Sequence, residues 1–127
     1  MSAIEKYTVE YHLEAAPKLL FKFISTSEGL SRWFAQTRII GDDLIEFRWP
    51  DNSQKAKIAQ SKENELMSFQ WLEDYHQGYR LDLRIVTEPG SSGSTLIISD
   101  VAEAGDVDFS IRLWNTQIAA LKRLFRG

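Results

Sequence analysis

DVDFSIRLWNTQIAALKRLFR, residues 106–126, is the stretch whose reading decides the fold. Val107, Ile111, Trp114, Ile118, Leu121 and Phe125 recur at alternating spacings of four and three. That spacing is the stripe of one long helix laid along an apolar surface. Asp106 can cap this helix, and Asp108 lies near the positive end of its dipole. Lys122, Arg123 and Arg126 oppose the negative end, which is sufficient structural reason for the chain's basic cluster. Nearly everything before residue 106 alternates with period two, so the surface beneath the helix is a sheet. A sheet gripped by one C-terminal helix can enclose a cavity, and that is the functional lead.

Working outward, residues 4–13 set Tyr7, Val9, Tyr11 and Leu13 on one face of a strand and Lys6, Thr8, Glu10 and His12 on the other. Pro17 suits the first turn of a helix whose apolar side is Leu20, Phe23 and Ile24. Ser25-Thr26-Ser27 breaks it, and Ser27 can cap a second short helix carrying Leu30, Trp33 and Phe34. Strands resume at 36–40, 44–49, 54–61 and 67–71, divided by the turn clusters Gly41-Asp42-Asp43, Pro50-Asp51-Asn52-Ser53 and Lys62-Glu63-Asn64-Glu65. Residues 73–78 read as a loop. Tyr79, Leu81, Leu83 and Ile85 then alternate with Arg80, Asp82 and Arg84, and a Gly/Ser-rich hairpin at 89–94 leads to a last strand at 95–101. The order is one strand, two short helices, about six strands in consecutive hairpins, and the long helix. Hairpins make an antiparallel sheet that buries one face.

At 127 residues the chain is one domain's worth. A net charge of -3 argues against a nucleic-acid partner, because phosphate binding needs clustered Lys and Arg. There are no cysteines, which rules out disulfides, thiolate metal sites and a cysteine nucleophile. The N-terminal Met1 to Tyr7 lacks the pattern of a secretory leader, and no stretch approaches the roughly 18 consecutive apolar residues of a membrane span. The expectation is a soluble cytoplasmic protein, not embedded in a membrane.

The run Gly29-Leu30-Ser31-Arg32-Trp33-Phe34, behind a helix opened by Ala16-Pro17, resembles the START-like, or helix-grip, superfamily. In that superfamily a Pro begins the first helix and a Gly-Leu-x-x-Trp-Phe-like run ends the second. The Trp49 strand end, Phe69-Gln70-Trp71 and a terminal helix carrying Trp114 match it as well. The likeness spans residues 1–127 as a single START-like domain, similar to small bacterial START-like proteins, Hsp90-ATPase-activator homologue domains and polyketide cyclase-like proteins. It implies an α+β helix-grip fold: a curved antiparallel sheet of six to seven strands around the long helix, with a cavity between them.

The candidate ligand-binding set is aromatic. Trp33, Phe34, Phe47, Trp49, Phe69, Trp71, Tyr79, Phe109 and Trp114 all fall on inferred inward faces, where rings line small-molecule sites and indole N–H groups orient a ligand. The competing interpretation is an ordinary aromatic core without a void. His12 is expected on the surface and His76 in a solvated loop, its spacing matching no metal-ligand pattern. The carboxylates give no trapped acid; Asp100 and Glu103 are read as helix-start and turn chemistry at a cavity mouth. Arg48, Arg80 and Arg84 are read as a solvated face with Asp82 and Glu46. No catalytic set, metal site or cofactor motif emerges. The first-ranked function is binding of a hydrophobic or amphipathic small molecule between sheet and helix. A non-enzymatic accessory protein of the co-chaperone kind ranks second, with a protein partner or homodimer left open, and a cyclase- or hydratase-type enzyme ranks third.

Overall fold

The computed structural model describes residues 3–125. Its elements run β1 (Ile4–Leu13), α1 (Pro17–Ser25), α2 (Ser27–Ser31), β2 (Gln36–Ile39), β3 (Leu44–Arg48), β4 (Ser53–Lys62), β5 (Leu66–Trp71), a 3-10 turn (Asp74–His76), β6 (Arg80–Thr87), β7 (Ser94–Glu103) and α3 (Val107–Leu124). The seven strands form one antiparallel sheet in the order β1-β7-β6-β5-β4-β3-β2. Five consecutive hairpins build β2 to β7, and β1, separated from β2 by the helical pair, closes on β7.

Register decides which side chains meet. Val9 opposes Ile98, which opposes Leu83, which opposes Met67; Phe69 opposes Leu81 on one side and Ile58 on the other. These residues share the concave face, and Leu81, Leu83, Ile98, Phe47 and Phe69 are fully buried there. Each such side chain withdrawn from water contributes about 1.5–3 kcal/mol. A register shift between Ile58 and Gln60 marks a bulge in β4, the kind of irregularity that bends a strand and curls a sheet. The helix α3 covers the concave face with Trp114, Ile118 and Leu121 buried and Val107, Ile111 and Phe125 half-buried, so the apolar stripe forms the contact. Lys122 and Arg123 sit in its last turn as expected, whereas Arg126, like Met1 and Ser2, lies outside the described residues.

The helical pair packs unusually closely. A Cβ on Gly29 would meet the Lys22 carbonyl oxygen at 2.2 Å and the Phe23 Cα at 2.7 Å. Glycine is therefore required where α2 crosses the end of α1. Two caps differ from expectation. Thr26, not Ser27, caps α2: its hydroxyl accepts from the Gly29 N–H at 2.9 Å while donating to the Lys22 carbonyl at 2.7 Å. A threonine bridging both helix ends satisfies more backbone than Ser27, which is already helical. Asp106 makes no side-chain cap to α3; its φ of -107° and ψ of 2° depart from the extended backbone typical of a capping residue.

Candidate functional site

Seven of the nine sequence-predicted aromatic residues form one connected cluster on the concave side. Phe34 is its hub: its ring stacks on Trp114 (5.3 Å, 11°) and meets Phe47 (5.1 Å) and Trp49 (5.3 Å) edge to face. Trp33 touches both Phe34 and Trp114, and Phe47 extends the chain to Phe69 and Trp71. The Phe34 carbonyl accepts from Trp49 Nε1 and from Gln117 of α3, both at 3.1 Å, so the end of the helical pair is tied to the covering helix.

Tyr79 and Phe109 do not join this cluster. Tyr79 lies just before β6, where its N–H donates to the His76 carbonyl and its carbonyl accepts from Trp71 N. That turn leaves the side chain 36% exposed instead of continuing the inward alternation of Leu81 and Leu83. Phe109 precedes Trp114 by five residues, about 140° around a helix, and is accordingly exposed.

All four indole N–H groups have acceptors, and these differ in kind. Trp33 and Trp49 donate to backbone carbonyls, of Phe23 and Phe34. Trp114 Nε1 donates to the Tyr7 hydroxyl at 2.9 Å, and Trp71 Nε1 donates to the Asp100 carboxylate at 3.2 Å. The first two are structural ties. The second two lead into a polar cluster at one end of the seam between sheet and α3.

Asp100 is the centre of that cluster, which corrects the expectation that it serves helix-start chemistry. It belongs to β7, which runs on to Glu103, and the register pairs it with Tyr7 on the concave side. Burial pushes its pKa up to about 7; hydrogen bonds from the Val101 N–H and the Trp71 indole oppose the shift, and the Asp82 charge adds to it. No Lys, Arg or His forms an ion pair with it among the described residues. Burial likewise raises the pKa of Tyr7, with the Asp100 charge as the next cause and hydrogen bonds from Trp114 and Ser110 opposing.

His76 is the second correction. It is buried, its ring stacked between Trp71 (4.6 Å) and Tyr75 (4.5 Å), because the 3-10 turn folds back over β5. Desolvation lowers its pKa, opposed by a hydrogen bond with the Glu73 backbone, so it is neutral at physiological pH, and its Nδ1 lacks a well-formed hydrogen bond among the described residues. The turn is held by both backbone and side chain. Asp74 adopts φ 62°, a left-handed conformation uncommon outside glycine, and its carboxylate accepts from Gln54 Nε2 at 2.6 Å. Neither Asp100 nor His76 was recoverable from alternation alone. Asp100 alternates with Leu96 and Ile98 inside the last strand, but its partners Trp71 and Tyr7 come from other strands, and the 73–78 loop had to be seen to fold inward.

Elsewhere the predicted surface residues stay on the surface. His12 is exposed between Glu14 (2.6 Å) and Glu88 (2.8 Å). Arg38 and Arg48 both approach Glu46, while Asp82 takes the Ser68 hydroxyl. Two concavities open to solvent. One of about 420 Å³ is lined by Lys6, Tyr7, Tyr79, Arg80, Asp82 and Asp100 among others, so cations and carboxylates share it, and one of about 470 Å³ lies on the helical pair around Leu19, Phe23 and Arg32. No group of three or more His, Cys, Asp or Glu side chains suited to a metal ion occurs among the described residues. No helix there is long and apolar enough to cross a membrane.

A curved seven-stranded antiparallel sheet closed on one face by a C-terminal helix, with packed aromatic rings between them, defines a helix-grip protein. The START-like superfamily domain matches residues 1–126, and the chain belongs to that superfamily. Among solved structures it is similar to the Aha1 dimer from Colwellia psychrerythraea (16% identity, 93% of each chain, TM-score 0.76). It is also similar to BfR322 from Bacteroides fragilis (28% identity, 98% of this chain and 92% of that one, TM-score 0.64). A third is CalU16 from Micromonospora echinospora (13% identity, 100% and 84%, TM-score 0.75). No curated protein matches the chain.

Proposed function

We propose that this protein binds a hydrophobic or amphipathic small molecule in the seam between the concave sheet face and α3. The observation that carries the reading is the unused hydrogen-bonding capacity where the aromatic cluster ends. Asp100 accepts from the Trp71 indole and the Val101 N–H and pairs with no cation among the described residues, and the buried His76 ring has only the Glu73 backbone as a partner, its Nδ1 lacking a well-formed hydrogen bond. A buried imidazole left short of a full hydrogen-bond complement is costly in a core built for stability alone, since an unmet buried polar group costs about 1–3 kcal/mol. A polar-ended apolar molecule would meet both halves of the seam: rings for its body, Asp100 and His76 for its head. The START-like fold supports this reading, because its members commonly enclose hydrophobic ligands in the same seam.

In the structure as it stands the rings pack on one another, so entry requires α3 or the 73–78 loop to move. The α3 N-terminus lacks a side-chain cap and the loop holds Asp74 in the left-handed region, which makes this end of the seam the easier one to open. Native mass spectrometry of protein purified from cells, followed by titration with octanol under Trp fluorescence, tests the reading. Retained mass or a saturable fluorescence change is expected. A bare protein that octanol leaves unchanged would contradict it.

A further inference from the structure

We infer that the open edge of β1 is a pairing surface for a second copy of this chain, joining two sheets antiparallel around Thr8 into one. The inference is independent of the small-molecule reading above.

The sheet ends in β1 on one side and β2 on the other, and the two edges differ. β2 is four residues long, and its Thr37 N–H already donates to the Ser31 hydroxyl of α2 at 2.9 Å. β1 is ten residues long and pairs with β7 in unbroken register from Ile4 to Leu13, with no bulge to twist its edge away. The phase of that ladder is set just before the strand, where the Ala104 N–H donates to the Ala3 carbonyl at 2.7 Å. Hydrogen-bonded pairs alternate along an antiparallel ladder, so the odd-numbered residues turn their backbone groups to β7. Ile4, Lys6, Thr8, Glu10 and His12 therefore turn theirs to the open edge, and no turn or loop backbone takes those groups up among the described residues.

Side chains decide which strand fits such an edge. A twofold partner that keeps both concave faces on one side sets even-numbered residues opposite even-numbered ones. Centred on Thr8, the pairing places Lys6 opposite the partner's Glu10 and Glu10 opposite the partner's Lys6, with Tyr7 opposite the partner's Val9. Opposite charges facing across a strand pair stabilise it, and like charges destabilise it. Centring on Tyr7 leaves both charges opposite uncharged residues, centring on Val9 sets Lys6 against His12, and centring on Glu10 sets two carboxylates together. Within one copy Lys6 and Glu10 stand about 13 Å apart along the strand. Both are exposed, and neither forms an ion pair among the described residues. A twofold contact uses up the β1 edge of each copy, and with β2 blunted by α2 the assembly closes at a dimer. It also steadies the strand whose Tyr7 and Tyr11 bond to Trp114 and Asn115 of α3.

Sedimentation velocity of the full chain over a concentration series, with amide hydrogen exchange at both ends of the series, tests this. A monomer–dimer equilibrium is expected, with the amides of Lys6, Thr8, Glu10 and His12 fast in the monomer and slowed in the dimer. Glu10→Lys sets lysines against each other at both pairs and should weaken the dimer at least about tenfold. The double variant Lys6→Glu with Glu10→Lys exchanges the two charges and should restore it. A monomer at every concentration overturns the inference. So does a dimer in which those amides stay fast, or one indifferent to Glu10→Lys, because its interface lies elsewhere. A double variant that fails to restore the dimer overturns the register around Thr8 and the inference with it. If Glu10→Lys does not fold, the exchange pattern of the natural protein decides alone.

Discussion

At Asp100 the cost of burying a charge selects the protonation state that the fold prefers. Its folded pKa of about 7 lies above the ordinary value of 3.8, so the folded state holds the proton more tightly than the unfolded chain. The stabilisation this gives is complete below the unfolded pKa and is lost as pH rises through about 7. Urea denaturation should therefore show the natural protein losing about 2–4 kcal/mol relative to Asp100→Asn between about pH 4 and 8.5. A constant difference would mean the carboxyl is solvated. His76 has the opposite sign: its lowered pKa gives stability that is present above the ordinary histidine value and lost as pH falls through the depressed one. Tyr7→Phe removes the acceptor for Trp114 Nε1 and should cost about 1–3 kcal/mol in the same assay. Alternation placed Tyr7, Phe47, Phe69 and Trp71 correctly, because a period-two pattern is itself a statement about faces. It could not weigh Asp100, since a single carboxylate on an apolar face looks like any strand-end acid until its neighbours are known.

At the scale of elements, the helical pair and α3 hold the sheet by different means. The α1–α2 crossing is a backbone contact that leaves no room for a side chain, so Gly29→Ala should cost about 1–3 kcal/mol by forcing the helices apart. Thermal denaturation would check this, and an unchanged Tm would mean that the crossing relaxes freely. The α3 contact is a side-chain contact built around Trp114, which stacks on Phe34 and bonds to Tyr7. Trp114→Ala should cost about 3–5 kcal/mol if the seam stays closed around the gap. A smaller loss accompanied by tighter octanol binding would show the vacated space being filled by ligand. The α3 stripe was legible because an 18-residue helix repeats its signal over five turns. The five-residue α2 has no such redundancy, and its cap was misplaced by one residue because Thr26 and Ser27 are chemically equivalent cap formers. Phe109 was misread for a related reason: its type suggested burial, while its position on the helix excluded it.

For the whole molecule, the helix-grip architecture follows from chain order together with the sidedness of the strands, and both are written in the sequence. What lies in the seam is not, because it depends on rings and polar groups brought together from β1, β5, β7, the 73–78 loop and α3. The central claim, that a ligand enters this seam with its head at the Asp100 end, is tested most directly by following the four Trp indole N–H resonances during octanol titration. The account predicts saturable shifts of Trp71 and Trp114, whose N–H groups point into the polar cluster, with Trp33, bound to the Phe23 carbonyl, nearly still. Four stationary indoles, or movement of Trp33 alone, would contradict it.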